Sequence, residues 1–82
     1  MRKWVVYLLR CSDGSLYCGV TNDMKKRLVL HKSGKASKYT RARLPVRLAV
    51  KSRPVPKIEA MRHEYRIKQL DKTEKRRVVK AI

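Results

Sequence analysis

Acidic residues are what this sequence has least of: six Asp and Glu in 82 residues, against 23 Lys and Arg, for a formal net charge of +17. A surplus of that size destabilises the compact state by self-repulsion and is best accounted for by a polyanionic partner. Nucleic acid is the first such partner. An anionic membrane surface is the second, and a generally basic proteome is the bland third, but no long basic amphipathic helix supports the membrane reading. Long apolar runs are also missing, which excludes a bilayer-spanning segment. The longest N-terminal run, Trp4 to Leu9, stops at Arg10 with no small-residue cleavage site after it, so a signal peptide is not expected. Cysteine is scarce, and Cys11 and Cys18 do not have the spacing of a metal or redox pair. Across a hairpin they could approach closely enough for a disulfide. The expectation is nevertheless two reduced thiols filling the core of a cytoplasmic protein, with no disulfide-linked partner. Repeats, linkers and low-complexity stretches are absent, so residues 1–82 read as one domain near the small end of what folds alone.

What is there is strongly punctuated. Residues 3–10 are rich in β-branched and aromatic side chains, Ser12-Asp13-Gly14-Ser15 is a turn signal, and Leu16 to Thr21 reads as the returning strand of a β-hairpin. Asn22 can cap a helix over about 23–33 that Gly34 stops. Residues 35–43 are basic, have no apolar period and read as a loop. Pro45 opens a third strand, Val46–Val50, and Pro56 suits the first turn of a helix over 57–70. Asp71 and Glu74 form a capping box that starts a last helix. The order ββαβαα predicts a small α/β domain with a three-stranded, mainly antiparallel sheet flanked by helices.

Winding 57–70 at 100° per residue gathers Ile58, Ala60, Met61, Tyr65 and Ile67 on one broad arc, which is the expected buried face. Glu64 falls inside that arc. A carboxylate there is costly unless it is paired or bound to a cation. It reads in two ways, as the i+4 ion-pair partner of Lys68 or as an oxygen ligand for a hard divalent ion. On the first helix Met24 and Leu28 mark the core side, with Arg27 and His31 flanking it together, either as solvated helix residues or as a phosphate-directed pair. A three-residue turn Ser12-Asp13-Gly14 pairs residues whose numbers sum to 26, so Tyr7 faces Gly19, Tyr17 faces Leu9, and both phenols share one face. A two-residue turn would split them between the faces.

These residues together resemble the GIY-YIG nuclease family over essentially the whole chain. Val5-Val6-Tyr7 stands where the first motif would be, its glycine replaced, and Tyr17-Cys18-Gly19 resembles the second. Arg27 and His31 look like the family's first helix, and Glu59 to Glu64 like its glutamate helix, with Glu64 as the matching carboxylate. The segment Ala36-Ser37-Lys38-Tyr39-Thr40-Arg41 is most like small, stand-alone bacterial members. Two further departures are Val20, where some relatives are basic, and the missing asparagine beyond the glutamate helix, since Asn22 is the chain's only one.

The resemblance implies a metal-dependent endonuclease that hydrolyses phosphodiester bonds in DNA by a one-metal mechanism, non-specific or structure-selective, in DNA repair or processing. Glu64 would hold one Mg²⁺ or Mn²⁺, a two-metal site being disfavoured because clustered carboxylates are missing. Tyr17, in preference to Tyr7, would be the general base, Arg27 would stabilise the transition state, and His31 with the other tyrosine would position phosphate or relay a proton. Lys32, Lys35, Lys38, Tyr39, Thr40, Arg41 and Arg43 are the expected nucleic-acid contacts, with DNA favoured over RNA and a protein partner supplying specificity. The competing reading is a non-catalytic nucleic-acid-binding module of the same fold.

Overall fold

The computed structural model describes residues 3–82, and the N-terminal hairpin lies at its centre. Strands β1 (Val5–Arg10) and β2 (Leu16–Thr21) pair antiparallel with Tyr7 opposite Gly19 and Leu9 opposite Tyr17. This is the register that a three-residue turn dictates. Gly14 takes the left-handed conformation such a turn needs, at φ 83°. The Asp13 carboxylate folds the turn back on itself, accepting from the Ser15 amide at 3.0 Å and the Ser15 hydroxyl at 2.6 Å. Strand β3 (Arg47–Lys51) pairs with the other edge of β1, giving the order β2-β1-β3, all antiparallel, with an irregularity between Leu8 and Leu9.

The helices are α1 (Met24–Lys32), α2 (Lys38–Arg41), α3 (Lys57–Ile67) and α4 (Lys72–Ala81). The expected order ββαβαα is present, with one added turn of helix, α2, inside the segment read as loop. A single turn is too short to show an apolar period. Its sequence signal is a cap: the Ser37 hydroxyl accepts the Thr40 amide at 3.1 Å. The cap of α1 is Asp23, one residue beyond Asn22, and it accepts from the Lys26 amide at 3.1 Å. Gly34, at φ 78°, ends that helix, and Asp71 caps α4 through the Glu74 amide at 2.9 Å.

The sheet separates two cores. On one face Val6, Leu8, Leu16 and Cys18 meet Ala60 and Ile67 of α3 and Val79 of α4. On the other, Tyr7, Leu9, Cys11 and Val46 pack with Tyr17 and with Met24 and Leu28 of α1. Cys11 and Cys18 therefore belong to different cores, both buried and both free, because a strand alternates its side chains between faces. Burial, with the Glu64 charge next in size, pushes the Cys18 thiol up to about 12.

The orientation of α3 departs from the expected arc. Ala60 and Ile67 are fully buried, but Ile58, Met61 and Tyr65 are 62%, 49% and 75% exposed. Only one margin of the arc meets the sheet. The small Ala60 lets the helix axis approach there, which leaves His63 and Glu64 half-buried and carries the larger apolar side chains outward.

Candidate active site

Two phenols on one face of a hairpin need something over them, and α1 supplies it. His31 is 1% exposed, with Nε2 2.8 Å from the Tyr7 hydroxyl and Nδ1 2.9 Å from the Thr40 hydroxyl. Its ring meets both tyrosine rings edge-on, at 5.8 Å from Tyr7 and 5.3 Å from Tyr17. The Thr40 hydroxyl lies within 3.4 Å of the Ser37 carbonyl, to which it can only donate. Thr40 holds one ring nitrogen and Tyr7 the other, so the two bonds together fix a single tautomer. Burial first, and the Arg27 charge second, lower the His31 pKa, so the ring is neutral at pH 7.

Tyr7 is equally enclosed, at 2% exposure. Its phenol lies over Gly19, where a Cβ would come 2.5 Å from the hydroxyl oxygen. The glycine of the Tyr17-Cys18-Gly19 motif thus makes room for the tyrosine of the other strand. Burial raises the Tyr7 pKa far above the usual phenol range. Tyr17 adds to the rise, Arg27 opposes it, and Cys18 and Glu64 add smaller contributions. Tyr7 is a phenol held protonated, not a base in waiting.

Tyr17, Arg27 and Glu64 are different: each is half-buried. Arg27 forms no ion pair among the described residues. Glu64 pairs with Lys68 at 3.5 Å, the i+4 partner expected from sequence, and its side chain keeps 23% exposure. Helix α1, which carries Arg27, packs on the tyrosine face of the hairpin, and α3, which carries Glu64, packs on the other face. Among the described residues no group of three or more His, Cys, Asp or Glu could share a metal ion. Of the expected site residues Glu64 alone is a carboxylate, a single hard oxygen donor. It fits an ion such as Mg²⁺, which keeps most of its waters and takes one or two protein oxygens, and it does not fit a two-metal centre.

The expected nucleic-acid contacts divide as well. Lys32, Lys35, Lys38 and Arg41 are exposed, and Lys35, Lys38 and Arg41 line one shallow depression with Gly34 and Ser37. Thr40 is fully buried beneath them and cannot be a phosphate contact, because its hydroxyl is used inside the fold. Tyr39 and Arg43 are also engaged internally. The Arg43 guanidinium stacks 3.7 Å over the Tyr39 ring and pairs with Asp13 at 3.1 Å, while the Tyr39 hydroxyl donates to Ser15 at 2.7 Å. Hydrogen bonds from Ser15, above all, and from Arg43 hold the Asp13 carboxyl below its usual range. Ser37, Ser15 and Asp13 were missed as site-supporting residues. Their only sequence signals are those of a cap and a turn, which do not say what they hold in place.

The described residues contain no helix long and apolar enough to cross a membrane. A family model described as the GIY-YIG catalytic domain matches residues 3–77. The UPF0213 protein of Bacillus pumilus is 58% identical over 62 residues, 76% of this chain and 63% of that protein, so the match spans less than two thirds of that relative's length. The UPF0213 protein of Oceanobacillus iheyensis is 49% identical over 74 residues, 90% of this chain and 86% of that protein. Among solved structures, the solution NMR structure of the UPF0213 protein from Bacillus halodurans is similar at 46% identity and a TM-score of 0.56, covering 93% of this chain and 81% of that one.

Proposed function

This chain belongs to the GIY-YIG family, and from that premise we propose that it is a metal-dependent endonuclease that hydrolyses phosphodiester bonds in DNA by a one-metal mechanism. What supports the reading is an arginine without an acidic partner and a half-buried carboxylate, on helices that pack against the two faces of the hairpin that bears the phenols. Neither charge is needed by the core. Both suit a phosphate and its counter-ion.

Glu64 would hold one Mg²⁺ or Mn²⁺, which when bound supplies Lewis-acid charge to the phosphate. Lys68 must then release the carboxylate, which is easy for an exposed lysine at 3.5 Å. Tyr17, the accessible tyrosine, would act in its ionised phenolate form to take a proton from the attacking water, and Tyr7, buried and bonded to His31, stays protonated behind it. Arg27 forks onto the oxygens that gain charge at the pentacoordinate phosphorus. His31 has both ring nitrogens occupied within the fold, so its part is to hold the tyrosines and not to touch substrate. The exposed Lys32, Lys35, Lys38 and Arg41 would track phosphates without reading sequence, which suits a non-specific or structure-selective nuclease of DNA repair or processing, active with a partner that adds specificity. A cytoplasmic setting suits the two free thiols.

One observation favours a non-catalytic binding module instead: Lys68 already neutralises Glu64. The experiment that separates the two is cleavage of branched, single-stranded and duplex DNA with and without Mg²⁺ or Mn²⁺, by the native protein and by Glu64→Gln. The nuclease reading expects metal-dependent cleavage that vanishes in the variant, while its metal-free melting temperature stays level or rises. Binding without cleavage by the native protein, or full cleavage by Glu64→Gln, overturns it.

A further inference from the structure

The Tyr17 phenol has no hydrogen-bond partner among the described residues. What fixes the ring is its flanks: His31 edge-on at 5.3 Å and 61°, and Tyr39 tilted at 5.8 Å and 31°. Both flanks lead back to α2. Thr40 holds the His31 ring through Nδ1 at 2.9 Å, opposite the bond from Tyr7. Tyr39, the residue before it, is pinned by the Arg43 guanidinium 3.7 Å from its ring and by its own bond to Ser15 at 2.7 Å. Arg43 in turn bonds the Tyr39 carbonyl at 3.0 Å and the Asp13 carboxylate at 3.1 Å, which ties the hairpin turn to the helix. Consecutive helical residues point about 100° apart, so one turn can reach two neighbours of the same ring. Ser37 stiffens the turn twice, accepting the Thr40 amide at 3.1 Å and lying 2.8 Å from the Thr40 hydroxyl.

We propose that the α2 turn is a clamp on the Tyr17 phenol, with Thr40 acting through His31 and Tyr39 acting by ring contact, both as positioning residues. The role assigned to the clamp rests on reading Tyr17 as the proton acceptor. Its geometry does not. Thr40 and Tyr7 together hold His31 in a single tautomer, and the groups facing that ring are Tyr7 from β1, Tyr17 from β2 and Arg27 from its own helix. Tyr39, with one ring face covered by Arg43, serves the clamp and is not a stacking platform for DNA bases.

The test uses Thr40→Val, Thr40→Ser, Tyr39→Leu and Tyr39→Phe, read by cleavage kinetics and by NMR of the His31 nitrogens and the Tyr17 ring. Thr40→Val should lower kcat on the order of tenfold to a hundredfold with KM little changed, because misplacement costs rate and not binding. His31 should lose its single tautomer, and Thr40→Ser should restore both tautomer and rate. Tyr39→Leu should lower kcat and shift the Tyr17 ring signals, while Tyr39→Phe, which keeps the ring contact but loses the bond to Ser15, should do both to a smaller extent. An unchanged tautomer and unchanged Tyr17 signals in Thr40→Val would overturn the clamp, as would a Tyr39→Leu effect confined to KM, which would make Tyr39 a DNA contact. Should Thr40→Val fail to fold, the Tyr39 pair decides by the same readouts. A native protein that cleaves none of the DNA substrates defeats the nuclease reading, while the NMR arm still decides the geometry.

Discussion

Single residues here matter through what they leave room for or leave unpaired. Gly19 is the clearest case, since a methyl group added there meets the Tyr7 hydroxyl at 2.5 Å and its ring carbon at 2.6 Å. Gly19→Ala must therefore push the phenol aside and break its bond to His31. The expected cost is about 1–3 kcal/mol in a urea melt, typical of overpacking a tight core, together with loss of cleavage. His31 sets a pH dependence. Its pKa is lowered in the folded state, so the unfolded chain binds the proton more readily. Its contribution to stability is complete above the ordinary histidine value of about 6.5 and is lost as pH falls through the folded value. Urea midpoints of the native protein should drop between neutral and mildly acid pH. His31→Asn should be less stable at neutral pH but show a flatter profile over that window, and parallel profiles would refute the buried neutral ring.

At the scale of elements, the rotation of α3 decides what Glu64 can do. The helix rests on Ala60, which is fully buried, and turns Met61 and Tyr65 to solvent. Ala60→Leu should lift the helix from the sheet, cost about 1–3 kcal/mol and reduce cleavage by moving Glu64. Met61→Ala and Tyr65→Ala should change stability by no more than about 0.5 kcal/mol. If the two exposed positions proved as costly as the buried one, the orientation of α3 would be wrong. The short turn α2 shows the opposite relation, with little burial of its own beyond Thr40 but bonds to His31 of α1, to Ser15 of the hairpin turn and to Arg43 just past its own end.

For the whole molecule the governing quantity is charge. At +17, with Lys32, Lys35, Lys38 and Arg41 exposed at one end, DNA binding should be steeply salt-dependent. If about four phosphates are neutralised, log K should fall against log salt with a slope of about −3 to −4. Lys38→Ala with Arg41→Ala should make the slope shallower without lowering the melting temperature, because both side chains lie outside the cores. A slope near zero would show that the surplus charge has another purpose.

The hairpin and its two candidate registers were legible from the residues alone, and the structure has the one set by the three-residue turn Ser12-Asp13-Gly14. The same holds for the Asp71 cap and for Gly34 at the end of α1. Tertiary structure decided the rest. A helical wheel defines an arc but not which margin of it meets a hairpin more than 35 residues away in sequence, so Ile58, Met61 and Tyr65 were expected inside and lie outside. It also decided that Cys11 and Cys18 face opposite cores, and that Thr40 points inward to a histidine instead of outward to phosphate. No local signal distinguishes a buried threonine from an exposed one in a basic loop. The difference arises only when His31, nine residues earlier, is laid across two tyrosines and needs a partner for its second nitrogen.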